Sequence, residues 1–239
     1  MRGTKIRIFV AGTDTGVGKT VLSLLMMKYF YHIGAKPFYF KPFQTGCTSP
    51  LDPESDANFV YSHIPQLQRK DPSFSVGYCL KEPKAPYFAA RNENRKINLN
   101  FVKKILKKRE IGYNPVIIEG SGGLYVPITR KRFVINAIKS FESIPVLVAR
   151  AGLGTINHTL LSLEALKRKR INPLCVIFIN KNKDNTPYHM IEENIEAIQS
   201  YSGIPVAGII NKIENFACIP AELFDIFNKI FKNIVEGLK

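Results

Sequence analysis

The chain is 239 residues long and 45% hydrophobic, enough to bury one substantial core. No repeat at solenoid spacing, low-complexity tract or Pro/Gly/Ser-rich linker interrupts it, which excludes array and disordered classes and leads us to expect one domain over residues 1–239. Lys and Arg outnumber Asp and Glu by 34 to 19, a net charge of +15 that favours anionic partners.

Ile6 to Ala11 is a short apolar run ending in a glycine-containing loop, and it predicts a buried strand. This run is too short for a signal-peptide core, and the sequence holds no stretch of roughly 20 apolar residues for a membrane span. A cytoplasmic location is therefore expected. Val21 to Ile33 predicts the first helix, with Gly34 just past its end. Phe38 to Lys41, Pro115 to Glu119, Pro145 to Ala149, Leu174 to Asn180 and Pro205 to Ile210 predict further strands. Apart from the aromatic Phe38 to Lys41 they are rich in β-branched residues, and they do not alternate, as strands buried on both faces do not. Amphipathic stretches at Phe101 to Lys108, His158 to Lys167 and Met190 to Ser200 separate several of them. Strand and helix alternate, so the expected class is α/β: a mainly parallel sheet flanked by helices on both faces. Ligands of such sheets sit beyond the carboxyl ends of the strands.

Each polar motif follows one of these strands. Gly12-Thr13-Asp14-Thr15-Gly16-Val17-Gly18-Lys19-Thr20 joins the first strand to the first helix. Glycines let backbone N–H groups approach phosphate, Lys19 can reach the terminal phosphates, and the Thr20 hydroxyl can ligate Mg²⁺. The usual G-x-x-x-x-G-K-[ST] spacing is offset, because Thr13 takes the first glycine's place and Gly12 sits one position further out. Lys41 ends the second strand and suits an anion clamp or a solvated position. Asp56 reads as a helix N-cap or a metal residue. Glu119 ends the third predicted strand and opens Glu119-Gly120-Ser121-Gly122-Gly123, which sets its carboxylate on the ligand rim as a metal residue, or else as a sheet-edge carboxylate or helix cap. Ala151 to His158 opens another helix with a second glycine-rich turn, fit for a carboxylate or for tight helix–sheet packing. His158 reads as structural, since no nucleophile or paired carboxylate stands beside it. Cys47, Cys79, Cys175 and Cys218 are scattered and read as reduced structural thiols. The basic clusters 103–104, 107–109, 130–132 and 167–170 lie in separate segments, so a solvated surface is expected over a nucleic-acid footprint.

Four of these segments together resemble the dethiobiotin synthetase family. They are the phosphate loop with its extra residue, Lys41-Pro42-Phe43-Gln44-Thr45-Gly46, Glu119 to Gly123 with Val126-Pro127, and the helix opening from Gly152 to Leu161. They occur in family order, and Asn180 extends the match. The resemblance implies a P-loop NTPase fold with ATP and Mg²⁺ as cofactors. It also implies a reaction in which 7,8-diaminononanoate, CO₂ (or bicarbonate) and ATP give dethiobiotin, ADP and phosphate. By the same resemblance Lys19 and Lys41 are catalytic, and Thr15, Gly16, Val17, Gly18, Lys19, Thr20, Asp56, Glu119, Gly122 and Asn180 line the ATP site. Thr20, Asp56 and Glu119 hold Mg²⁺. Thr45, Gly154, Thr155, Ile156 and Asn157 bind the substrate, the last four across a homodimer interface. Neither nucleic acid nor membrane is implied as a partner. The chain departs from the family pattern at Ser121, where alanine is common, at Ala85 and Tyr87, where serine and histidine are expected, and at Asn211, where proline is expected. A partition-type ATPase and an amide-forming ligase of the same superfamily remain as alternatives. The first typically carries a second lysine early in the loop, where this chain has Thr13, Asp14 and Thr15. The second normally needs an ammonia source.

Overall fold

A computed structural model describes residues 5–181, 186–217 and 219–236. Its first strand, β1 (Arg7–Gly12), leads through the phosphate loop into α1 (Lys19–His32). Then come β2 (Phe38–Thr45), α2 (Asp56–Ser62), β3 (Val76–Leu80), α3 (Pro86–Asn92) and α4 (Leu99–Arg109). The centre of the chain holds β4 (Val116–Gly123), the short strands β5 (Pro127–Thr129) and β6 (Arg132–Phe133), and α5 (Val134–Ser140). The last third runs β7 (Ile144–Arg150), α6 (Thr155–Arg168), β8 (Cys175–Asn180), α7 (Tyr188–Ser202), β9 (Val206–Asn211) and α8 (Ala221–Glu236).

Seven strands form one parallel sheet in the order β3-β2-β4-β1-β7-β8-β9. The chain leaves β1, skips a place to reach β2, adds β3, returns to fill the gap with β4, and then crosses to β7 on the other side of β1. That reversal opens a crevice above β1, β2 and β4. The strand residues divide by parity. Ile8, Val10, Tyr39, Ile117, Val146, Val148 and Ile177 face α1, α2 and α8. Phe9, Ala11, Phe40, Ile118, Leu147, Ala149 and Phe178 face the layer of α4, α5, α6 and α7. Full burial of each large apolar side chain here is worth roughly 1.5–3 kcal/mol against exposure.

The expected class is therefore found, and each predicted strand run has its counterpart. Several elements lie outside the sequence expectations: α3, β5, β6 and α5, and more instructively β3 and α8. The edge strand β3 reads Val-Gly-Tyr-Cys-Leu and is half exposed in its middle, so it lacks the continuous apolar run that marks its neighbours. Helix α8 does carry a signal: Leu223, Phe227 and Phe231 recur at four-residue spacing and are buried, the two phenylalanines against Tyr29 and Phe30 of α1. The cysteines are not all scattered in space. Pairing of β2 with β3 brings Cys47 Sγ to 3.6 Å from Cys79 Sγ, while Cys175 is buried elsewhere and Cys218 lies outside the described residues.

Candidate active site

The phosphate loop spans residues 13–18 between β1 and α1. Its first residue is pinned to β7 by Thr13 N–H donating to Val148 O at 2.9 Å. Gly18 precedes α1 with φ at 105°, in the left-handed region, and a Cβ there would come within 2.8 Å of Ile179 Cγ1. Glycine is required on both counts. Lys19 Nζ folds back over the loop and donates to Asp14 O at 2.8 Å. Burial, and then the charge of Lys41, lower the Lys19 amine to about 8.

Three segments distant in sequence meet beside this lysine. Thr20 Oγ1 lies 2.7 Å from Asp56 Oδ1 and 3.0 Å from Glu119 Oε1. Lys41 Nζ lies 2.7 Å from both Asp56 Oδ2 and Glu119 Oε1, and its side chain is buried. Burial alone lowers the Lys41 amine, but the two carboxylates outweigh it and the net shift is upward. Burial likewise opposes ionisation of Asp56, yet Lys41, Thr20 and Lys19 carry it below its ordinary value. Asp56 is not the N-cap of α2. Ser55 takes that place and accepts from Asn58 N–H, which leaves the Asp56 carboxylate for the cleft. Asp56 N–H in turn donates to Gln44 Oε1 at 3.1 Å, fixing the helix start against β2.

A hydroxyl and two carboxylates form an all-oxygen donor set, which suits a hard cation. Among the described residues no group of three His, Cys, Asp or Glu gathers to cage a metal alone. Such a sparse set fits Mg²⁺, which takes one or two carboxylates and completes its shell with water and substrate phosphates.

These groups line a cleft of about 490 Å³ whose walls include Thr15, Gly16, Gly18, Lys19, Thr20, Lys41, Thr45, Asp56, Glu119 and Gly122. A smaller cavity of about 280 Å³ shares Thr15 and Gly16 with it and continues past Val17 to Asn180. Arg150, Lys181 and Thr186 also line that cavity and carry no motif that sequence reading could have caught. Asn180 Nδ2 donates to Asn211 Oδ1 at 3.2 Å, so the departure at Asn211 supplies an amide partner to the predicted adenine contact. Ser121 donates its hydroxyl to Phe43 O, tying β4 to β2 at the cleft rim. Pro83, Lys84, Ala85 and Pro86 close one side of the cleft, whereas Tyr87 turns away to pack on Phe88 and Arg91.

The glycine turn before α6 is divided: Ala151 and Gly152 line the smaller cavity, while its residues from Gly154 onward line neither it nor the cleft. Gly154, Ile156 and Asn157 line a groove of about 870 Å³ between α6 and α7, with Leu160, Leu161, Ile171, Tyr201 and Ile204. Thr155 is buried and its hydroxyl meets Thr159 Oγ1 at 3.3 Å. His158 is exposed and lines neither cavity of the phosphate-loop region.

A parallel sheet, a glycine-opened helix carrying Lys19 and Thr20, and facing carboxylates define a P-loop nucleotide-binding protein. Solved structures agree on the fold: the cell-division ATPase MinD of Pyrococcus furiosus superposes with a TM-score of 0.55 at 13% identity, covering 97% of this chain and 100% of that one. The ParA protein of pNOB8 bound to nonspecific DNA superposes at 0.58 and 10% identity, covering 98% and 97%. The sequence model of a family described as "AAA domain" matches residues 6–217. ATP-dependent dethiobiotin synthetases are much closer in sequence. That of Clostridium acetobutylicum is 35% identical over 100% of this chain and 92% of its own length. That of Lysinibacillus sphaericus is 33% identical over 94% and 96%, and that of Hydrogenobaculum is 40% identical over 70% and 73%. The chain belongs to the dethiobiotin synthetase family.

Proposed function

We propose that the cleft above β1, β2 and β4 converts 7,8-diaminononanoate, CO₂ and MgATP to dethiobiotin, ADP and phosphate. The observation that carries the reading is the meeting of Lys19, Thr20, Lys41, Asp56 and Glu119 at one wall of the 490 Å³ cleft. One substrate amine adds to CO₂ and loses a proton, giving a carbamate. A carbamate oxygen attacks the γ-phosphorus and ADP leaves. The second amine then attacks the carbonyl carbon and expels phosphate, closing the cyclic urea. Each step gathers or moves negative charge, so positioned cations and excluded water are what the protein contributes.

Lys19 binds the β- and γ-phosphates in this reading. Lys41, released from its two carboxylates, binds the γ-phosphate and the carbamate oxygen. Thr15 and Thr45 donate to the same anions, and the backbone at Gly16, Val17, Gly18 and Gly122 wraps the phosphate chain. Asn180 reads the adenine. Thr20, Asp56 and Glu119 would hold Mg²⁺, which when bound neutralises phosphate charge. Residues 1–239 act as one catalytic domain.

The groove at Gly154, Ile156 and Asn157, with buried Thr155 behind it, then takes the substrate's carboxylate from a second copy of the chain, completing a homodimer. Support comes from Gly154, Ile156 and Asn157 lining neither cavity of the phosphate-loop region of the same copy, and from Leu153, Leu161 and Tyr201 standing 85%, 62% and 80% exposed. No helix among the described residues is long and apolar enough to cross a membrane.

The decisive experiment follows ADP release with MgATP and bicarbonate, with and without the diamine, and records the product mass. Diamine-dependent turnover with the mass of dethiobiotin is expected. Hydrolysis indifferent to the diamine, with no cyclic urea, would reduce the site to a nucleotide switch.

A further inference from the structure

Glu119 is 1% exposed, yet it is the carboxylate on which Thr20 and Lys41 converge. Both of those contacts fall on one oxygen, Oε1. The other oxygen, Oε2, accepts from Tyr39 Oη at 2.8 Å. Tyr39 stands two residues before Lys41 on β2, so both side chains leave the same face of the sheet. Register does the rest. Tyr39 pairs with Ile117 of β4, and Glu119 lies two residues further along that strand on the same face. The phenol ring is buried in the core beneath α1 and α2 and is not among the residues lining the cleft. Burial, and then the charges of Glu119 and Asp56, raise its ionisation well above the ordinary value, so it stays a neutral donor.

A buried carboxylate with two free oxygens can swing or offer either one to a cation. We infer that Tyr39 is a positioning residue that holds Glu119 by Oε2 and so presents Oε1 to the metal nucleotide. The inference rests on the reading that Glu119 holds Mg²⁺. Tyr39 touches neither phosphate nor substrate and acts only through the carboxylate, as outer partners of metal ligands do. The chemistry supports a donor here in preference to a second cation, which would neutralise the charge that the metal needs.

The test uses Mn²⁺ as a spin probe, titrated into the full chain with saturating ADP, for the parent protein, Tyr39→Phe and Glu119→Gln. Affinity for ADP in chelator, without metal, is measured alongside. Tyr39→Phe keeps the ring and removes only the hydroxyl. It is expected to weaken Mn²⁺ by about 10-fold, the scale of an outer-partner loss, while metal-free ADP affinity stays within about twofold, less than 0.5 kcal/mol. Glu119→Gln is expected to weaken Mn²⁺ at least as much. Unchanged Mn²⁺ binding in Tyr39→Phe beside a loss in Glu119→Gln overturns the positioning role and leaves the metal reading standing. Equal loss of metal-free and metal-dependent binding in Tyr39→Phe also overturns it, since the hydroxyl would then support the fold at large. Parent-like Mn²⁺ binding in Glu119→Gln sinks the metal reading itself.

Discussion

Two helices of this protein begin in the same way and end in different chemistry. Helices α1 and α6 each follow one of two neighbouring strands, β1 and β7, and each is preceded by a glycine in the left-handed region, Gly18 at φ 105° and Gly154 at φ 84°. Neither has a side-chain cap, and neither has an acidic residue in its first turn. No side chain covers the N–H groups at the positive end of either helix dipole, although Thr155 N–H of α6 turns back to Gly152 O at 3.2 Å. Around α1, the sheet adds Lys41 from β2 and Glu119 from β4, α2 adds Asp56, and the result is a charged, largely buried cluster. Along α6, its own Leu160 and Leu161 meet Tyr201 and Ile204 in a mainly apolar groove, with Glu164 and Lys167 also in its lining. A helix N-terminus supplies an anion-friendly field, and the side chains delivered from distant segments decide what the field is used for.

The comparison breaks most sharply at Lys19. Lys19→Ala removes the only charged residue in the first turn of α1 and is expected to lower diamine-dependent turnover by roughly 10²–10³-fold, the effect of losing one transition-state donor. Turnover within a few-fold of the parent, in a protein that still melts cooperatively, would make the two helix N-termini functionally alike.

A pH series tests the same contrast more gently. Lys19 stands at about 8 in the protein without nucleotide. A bound polyphosphate favours the charged amine, so nucleotide affinity should be flat below that pH. Above it, binding must draw in a proton, and affinity should fall by up to about tenfold per pH unit. Calorimetry in buffers of differing ionisation enthalpy reads the proton directly, and no uptake at pH 9 would remove Lys19 from the phosphate site.

The smallest effect concerns the two glycines. A Cβ at Gly154 meets nothing within 4 Å, so Gly154→Ala costs only its backbone angle, roughly 1–2 kcal/mol. At Gly18 the same strain is joined by a 2.8 Å contact with Ile179, and the loss should be clearly larger. Denaturant titration of the two variants checks the order. Equal losses would mean that Ile179 yields freely and that the phosphate loop is no more tightly packed than the turn before α6.

Local chemistry was legible along the chain wherever one segment carries it whole. The phosphate loop shows in residues 12–20 because glycines, lysine and threonine must be contiguous to wrap a phosphate. The buried strands show because both their faces are apolar, and four motifs in order were enough to point to the family that the relatives bear out. Pairing was not legible. No spacing in the sequence says that Tyr39 donates to Glu119, that Ser55 and not Asp56 caps α2, or that Cys47 meets Cys79. Each depends on the distances that folding sets between segments, and β3, β2, β4 and β1 are neighbours in an order that differs from their order in the chain. The sequence by itself determined the kinds of groups available and the faces on which alternation sets them. Only the tertiary structure decided which charges neutralise one another. Coulombic and hydrogen-bond energies depend on distances of a few ångströms in a dry interior, and those distances are a property of the assembled sheet.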